Sequence, residues 1–574
     1  TTTSWGGLVI NGFTTGASPL TEIRHAHFEF NGTTAIHSQS GGEVLLDAVT
    51  FGNTAVQYLS LDASSFLVTD CVFPSATAYF ELVHGTGGIK TGGRGIFARN
   101  FFGVANSTSG NYNDVLDFTG GQRPGPIIQL VDNVFIGSGD DLLDLDGTDD
   151  WIEGNIFLHC HKNGSPDSAS AVSGGNDSGN TSRITITGNV FYDVDHAATG
   201  KQGNFYTFTN NTVVRQTKSG GLDTEAAVLN FADDGTTYGA GMYAEANILS
   251  DCEQLVRNHI PANSAVTFNN NLMSFAWSGP GAGNASGDPL FQHVPAMAET
   301  TFTSWSAAQV MKQWLSLKNG SPARGTGPNG RDKGGVVSRG VCLSANVPAE
   351  TNLPAAAITV GPPPSAVPGW SSGHTHYRWR LDGGAWSAET PVATPVSLTG
   401  LAAGPHTIEV AGKNDALYWQ DDAVFAASAA TASVTGTVNP GYIPPGVAPL
   451  VRSNEVLAKN SETLAIGGVY PDLIELHNAG TAAADLSGWG ITDDAAVPYK
   501  YLVPSGTTLA AGAYLLVPAS SSASVPLPKT GFGLKDEGDT LTLTKSIAAG
   551  GGVADSIAFG NQPSDYSIGR RSAD

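Results

Sequence analysis

The chain has 574 residues, too many for one ordinary domain and enough for roughly three or four. Its 51 acidic residues outnumber 28 basic ones, a net charge of −23 that excludes a nucleic-acid-wrapping protein and a polybasic grip on anionic lipid. Only 14% of residues are charged, 40% are hydrophobic and 72 are glycine, a balance that points to strands and tight turns rather than amphipathic helices or disorder.

The sequence opens on Thr1-Thr2-Thr3-Ser4-Trp5, already strand-like and without a signal peptide, as expected of a start within a longer protein. No apolar run approaches the roughly 20 residues of a membrane span. Cys71, Cys160, Cys252 and Cys342 are too few for a disulfide scaffold and fit no zinc spacing, so they are expected as small core residues.

One short unit then recurs: a small or polar residue, Asn, and two mostly apolar residues. It begins with Arg99-Asn100-Phe101-Phe102, Asp132-Asn133-Val134-Phe135, Gly154-Asn155-Ile156-Phe157 and Gly188-Asn189-Val190-Phe191. Asn211, Asn247 and Asn271 continue it, and Cys71 takes the Asn slot of a degenerate earlier copy. The Asn-to-Asn intervals are 33, 22, 34, 22, 36 and 24, a period near 22 with insertions. Such coils of β-branched and aromatic runs predict a right-handed parallel β-helix over about residues 1–290, each coil laying a strand on the last. Asn is expected at the sharp turns, where it tolerates a left-handed backbone and its amide can ladder.

After the coils, Trp305, Ala308, Met311, Trp314 and Leu315 recur at helical spacing, predicting a short amphipathic helix that packs across or caps the last coils. Terminal turns at 317–323 and 327–330 bring the helical domain to 345. Pro354, Pro362, Pro363, Pro364 and Pro368 read as a linker into an immunoglobulin-like sandwich over 346–440, which a second linker at 439–446 ends. From 450 to 574, Asp472–Asn478, Leu486–Asp494, Gly512–Val517, Gly538–Leu543 and Tyr566–Arg570 follow in an order that closely resembles the bacterial lamin-tail domain. That resemblance implies a second immunoglobulin-like sandwich and an extracellular accessory module. The fold class is therefore all-β: a β-helix followed by two sandwiches.

The densest polar constellation is Asp140-Asp141-Leu142-Leu143-Asp144-Leu145-Asp146, with Asp114 and Asp117 one coil earlier. Strict alternation puts Asp140, Asp144 and Asp146 on one face and Asp141 on the other, unless a turn near Asp140 lets both adjacent carboxylates point outward. Five carboxylates, Asp114, Asp117, Asp140, Asp141 and Asp144, would then converge. Repulsion among them is relieved by protonation or by a cation, and an all-oxygen set suits Ca²⁺.

An acidic residue on one coil followed by Asp-Asp-x-x-Asp on the next resembles the calcium site of family 9 pectate lyases. Those are β-helices that cleave uronic-acid polymers by β-elimination. The resemblance implies that Asp140, Asp141 and Asp144 bind calcium together with Asp114 or Asp117. The family's base is a lysine just before a Gly-Gly pair on the following coil, and here Ala169–Gly175 holds none. Counting seven residues on from each repeat Asn gives Asp140, Lys162, His196, Lys218 and Gln254, so Lys162 and His196 are substitute bases one and two coils away. Lys201, in the turn 199–203, is a third.

Paired carboxylates also suit glycoside hydrolysis, but in galacturonan hydrolases a His-Gly and an Arg-x-Lys follow on later coils, and here His161 is not followed by Gly and the coils hold no Arg-x-Lys. His159 and His161 share a face and offer half a transition-metal site. His374 and His376 are expected at the surface, and Trp379, Trp386 and Trp419 in core packing rather than on sugars. The expectation is a secreted or surface-displayed bacterial protein whose groove takes an acidic polysaccharide with Ca²⁺. It is either a lyase or a non-catalytic matrix or adhesion protein with structural calcium, whose sandwiches meet cell-surface partners.

Overall fold

The structure is a computed structural model that describes residues 6–29, 32–52, 57–76, 81–106, 113–162, 169–216, 226–231, 238–343, 349–351, 353–367, 370–425, 431–439, 451–480, 483–549 and 551–570. The chain is all-β, as its composition requires. From Leu8–Asn11 to Ala285–Ser286 the strands stack coil on coil in three parallel ladders, a parallel β-helix. The long strand Leu59–Thr69 runs through the first two ladders and joins them into a 19-stranded sheet. The third ladder is an 11-stranded sheet.

The repeat Asn residues build the turn between the second and third ladders, and their work is divided differently from the sequence expectation. The left-handed residue is the one before each Asn: Arg99, Asp132, Gly154, Gly188, Asn210, Ala246 and Asn270 all have φ between 50° and 73°. The repeat Asn residues are instead fully buried and chained by their amides. Asn155 Nδ2 donates to Asn189 Oδ1 at 3.0 Å and to the Leu130 carbonyl at 2.8 Å. Its Oδ1 accepts from the Asn133 backbone N–H at 2.8 Å and from Asn133 Nδ2 at 3.0 Å. Beside this ladder a file of rings, Phe51, Phe73, Phe102, Phe135, Phe157 and Phe191, stacks at centroid spacings of 5.1, 4.7, 4.6, 5.1 and 4.8 Å.

The outer face of the third ladder is also apolar, through Phe101, Val134, Ile156, Val190 and Leu272. The short helical turns Trp305–Ala308 and Val310–Trp314 cover it with Ala308, Met311 and Leu315, so the helix packs across the coils. The tail then returns along the stack. The Gly334 N–H donates to the Ala246 carbonyl, and Arg339 pairs with Asp132 and Glu153.

The first sandwich begins at Cys342–Leu343, which pairs with Val360–Gly361. The prolines at 354, 362, 363 and 364, expected as a linker, lie between its strands, where a missing N–H costs no ladder bond. Pro368 and most of the second linker lie outside the described residues. Ala432–Val438, Gly404–Asn414, His374–Leu381 and Thr390–Pro391 form its main antiparallel sheet around Tyr377, Ile358, Val396 and Val410. Trp386 and Trp419 stack on Arg378 at 4.8 and 4.6 Å rather than filling the core, while Trp379 packs against it.

This sandwich and the β-helix form one compact unit, with residues 439–574 and 350–352 in another. Its docking combines an apolar seam, in which Ala416 and Phe425 meet Leu67, Ile96 and Trp151, with buried polar contacts. Arg123 Nη2 donates to Asp415 Oδ1 at 2.7 Å, and Asp415 Oδ2 accepts from Thr185 Oγ1 at 3.1 Å and the Gly373 N–H at 3.0 Å. His374, expected at the surface, stands edge-on to Trp151 at 5.4 Å, and burial pushes its pKa down to about 4. Removing one partner of a buried ion pair costs about 3–5 kcal/mol. Asp415→Ala should therefore split the joint calorimetric transition of helix and sandwich into two; a single unshifted transition would contradict this docking.

In the second unit, Tyr514–Ala519, Asp472–Asn478, Val451–Leu457 and Ile568–Gly569 make one antiparallel sheet. Tyr501–Leu502, Gly490–Thr492, Gly538–Thr544 and Val553–Gly560 make the other. They enclose Val456, Ile474, Leu476, Trp489, Ile491 and Leu541.

Candidate functional site

The acidic patch sits where the first ladder turns a corner. At that corner two consecutive residues point inward: Leu82 and Val83, Val115 and Leu116, Leu142 and Leu143, all fully buried. The residues on either side therefore both face out, at a spacing of three. This places Glu81 with His84, Asp114 with Asp117, and Asp141 with Asp144 on the outer surface of successive coils. Alternation resumes beyond the corner, leaving Asp146 outward as well. The corner is the turn that sets Asp140 and Asp141 side by side.

Each corner carboxylate also ties its coil to the next. Asp114 Oδ1 accepts from the Asp141 N–H at 2.9 Å, and Asp141 Oδ1 accepts from the Ser170 N–H at 2.7 Å. Asp117 stands directly opposite Asp144, and Asp144 opposite Ser173. One oxygen each of Asp114, Asp140 and Asp141 lies within 4.8 Å of the other two. Calcium–oxygen bonds of 2.3–2.6 Å span separations of that size. Asp144 and Asp146 each keep a buried oxygen without a hydrogen bond, so the chemistry of the donor set fits a hard cation.

Lysines close the patch on two sides. Lys162 is ion-paired to Asp140. Lys201 reaches over the intervening coil to Asp146 at 3.2 Å and Asp144 at 3.7 Å. Gly175 permits that reach, because a Cβ there would sit 2.7 Å from Asp146 Oδ1 and 3.1 Å from Lys201 Cε. Burial, then the neighbouring Asp141, pushes Asp140 up to about 7 against the pull of Lys162. Asp114 and Asp144 are raised well above the carboxylate range, chiefly by burial; Asp144, Asp141 and Asp140 add to the rise of Asp114, while Lys201 pulls Asp144 back down against Asp146 and Asp141. Burial works against both ammonium groups, yet the surrounding carboxylates hold Lys162 and Lys201 above the ordinary lysine value.

Lys162 and Lys201 thus join the predicted aspartates, and His196 does not. Its ring is fully buried, with Nδ1 3.1 Å from the Ala227 N–H nitrogen. Counting from the repeat Asn holds as far as Lys162, but the insertion after it shifts the register, and His196 pairs with Ser170 instead. Lys218 lies outside the described residues, and Gln254 is exposed. His159 and His161 both contact Asp193, at 2.9 Å each, and His161 adds Asp195 at 2.7 Å. Burial opposes protonation of His161, but its two carboxylate partners raise its pKa to about 9. The sequence reading missed Glu81 and His84. Subtracting the 33-residue coil interval from Asp114 and Asp117 finds both.

Residues 448–561 match the family model of the Lamin Tail Domain, the region read that way from its strand order. No curated protein and no solved structure matches the chain. Among the described residues, no helix is long and apolar enough to cross a membrane.

Proposed function

We propose that this is a secreted, surface-associated bacterial protein whose β-helix binds an acidic polysaccharide and cleaves it by Ca²⁺-assisted β-elimination. The observation that carries this reading is the outward convergence of Asp114, Asp140 and Asp141 with Lys162 and Lys201 beside them. One row of the first ladder carries His37, His84, Asp117, Asp144, Asn230 and Arg257, partly exposed, with Ser60, Ser173 and Thr199 buried between them, a polar face along which an extended chain could lie. A calcium ion held by the aspartates would neutralise the uronate carboxylate that the negative protein otherwise repels. With the aspartates' charge taken up by the cation, Lys162 or Lys201 would release its own proton to solvent and as the neutral amine take the proton α to that carboxylate. The C–O bond to the leaving sugar breaks, the leaving oxygen takes a proton from water, and an unsaturated uronate remains.

A second reading rests on the ion pairing of both lysines, which favours their protonated form and leaves structural calcium in a non-catalytic matrix or adhesion protein. Uronate polymers monitored at ~235 nm with calcium separate the two. The lyase reading expects absorbance growth that Asp141→Ala reduces by about two orders of magnitude or more. A flat trace on every polymer ends it, and a calcium-dependent melting temperature would then establish the structural role.

A further inference from the structure

We propose that Glu81, His84 and Asp117 form a second metal site, specific for a divalent transition ion of the zinc class. The site stands whether or not the neighbouring patch is catalytic. The corner turns Glu81 and His84 outward on one coil, and register sets Asp117 directly opposite His84 on the next. His84 Nδ1 lies 3.4 Å from Asp117 Oδ2 and 4.0 Å from Glu81 Oε2. Donors bonded to one ion at about 2.0–2.2 Å lie roughly 3.3 Å apart at a tetrahedral angle and about 4.2 Å apart when opposed. His84 Nδ1 therefore stands at coordination-shell spacing from both carboxylates, and all three ligand atoms lie within 4.8 Å of one another.

Two further features bear on a ligand here. His84 Nδ1 is shielded from solvent and faces both carboxylates, with Asp117 as its ion-pair partner, so a bound ion would take the place of the proton they share. Glu81 is held from behind, since Gln57 Nε2 donates to its Oε2 at 2.8 Å, the kind of outer contact that orients a ligating carboxylate.

The donor set chooses the metal. An imidazole nitrogen with two carboxylates suits zinc-like ions, whereas calcium takes oxygen alone, as at Asp114, Asp140 and Asp141. The three side chains are 28%, 32% and 25% exposed, so a bound ion keeps a face open to water or to a group on the polymer. Three protein ligands with an open position is the pattern of a reactive zinc site rather than a closed structural one.

Cobalt(II) is the probe, titrated into the full chain in excess calcium and followed by its visible ligand-field absorption. One equivalent should bind, be displaced by zinc, and persist in Asp141→Ala. His84→Ala and the milder Glu81→Gln should each weaken it by roughly tenfold or more while near-UV circular dichroism stays unchanged. Absence of cobalt binding, binding that survives His84→Ala, or displacement by calcium would each overturn the site.

Discussion

Asn155→Ala should lower the unfolding midpoint of the β-helix by about 5 °C. The side chain makes four hydrogen bonds in a dry stack. Its loss strands the Asn133 N–H and takes one bond each from the Leu130 carbonyl, from Asn133 Nδ2, which keeps the Phe97 carbonyl, and from Asn189 Oδ1, which keeps the Asn155 N–H. An unsatisfied buried polar group costs about 1–3 kcal/mol, so one stranded group and three weakened ones cost roughly 3 kcal/mol. Asn155→Asp should be worse: the carboxylate accepts as before but cannot donate to Leu130 or Asn189, and it buries a charge. The N-terminal end of the ladder provides the control. Cys71 takes the Asn slot there: its backbone N–H reaches Asn100 Oδ1 at 2.9 Å, and its sulfur makes only two weak bonds, accepting from the Val49 N–H at 3.4 Å and donating to the Thr69 carbonyl at 3.2 Å, so Cys71→Ala should cost less. Equal shifts for Asn155→Ala and Cys71→Ala in thermal melts followed by circular dichroism would show that the amide ladder does not hold the coils.

The same ladder explains what the sequence made legible. A buried amide chain needs one Asn per coil at a fixed place, so the repeat stands out in a single sequence and with it the helix and its period. The site was half legible for a local reason. Strict alternation separates Asp141 from Asp144, and only the corner, with Leu142 and Leu143 both inward, reunites them. Two adjacent leucines do not announce a corner by themselves. His84 was hidden because its relation to Asp117 exists only across coils, 33 residues away. His196 misled because the 34-residue interval from Asn155 to Asn189 announces an insertion but not on which side of Lys162 it falls, and so not which residue it brings opposite His196. His374 misled because nothing local shows that a sandwich docks on Trp151.

At pH 8, metal-free protein should be less stable than at pH 5, and calcium should reverse the difference. A carboxyl whose folded pKa is raised keeps its proton in the native chain after the unfolded chain has released it. Its contribution is complete below the unfolded value and is lost as pH rises through the folded one. Asp140 moves from 3.8 to about 7, which corresponds to roughly 2.5 kcal/mol lost between pH 5 and pH 8, and Asp114, Asp144 and Asp146 shift in the same direction. Carboxyls with lowered pKa, such as Asp193 beside His159 and His161, act oppositely but are nearly finished by about pH 5. His374, lowered to about 4, gains stability across the window and His161, raised to about 9, loses a similar amount, so the two histidines offset each other. Calcium competes with protons for the same oxygens, so it should stabilise strongly at pH 8 and weakly at pH 5. At a hundredfold excess over its dissociation constant the gain is about 2.7 kcal/mol. Asp114→Asn separates this cause from general acidity. The amide oxygen can still accept from the Asp141 N–H, while one charge leaves the cluster. The variant should be more stable than the parent at pH 8 without calcium, flatter between pH 5 and pH 8, and nearly blind to the ion. A variant that is less stable at pH 8 yet responds fully to calcium would mean that the carboxylates are held apart by solvent and that the ion binds elsewhere.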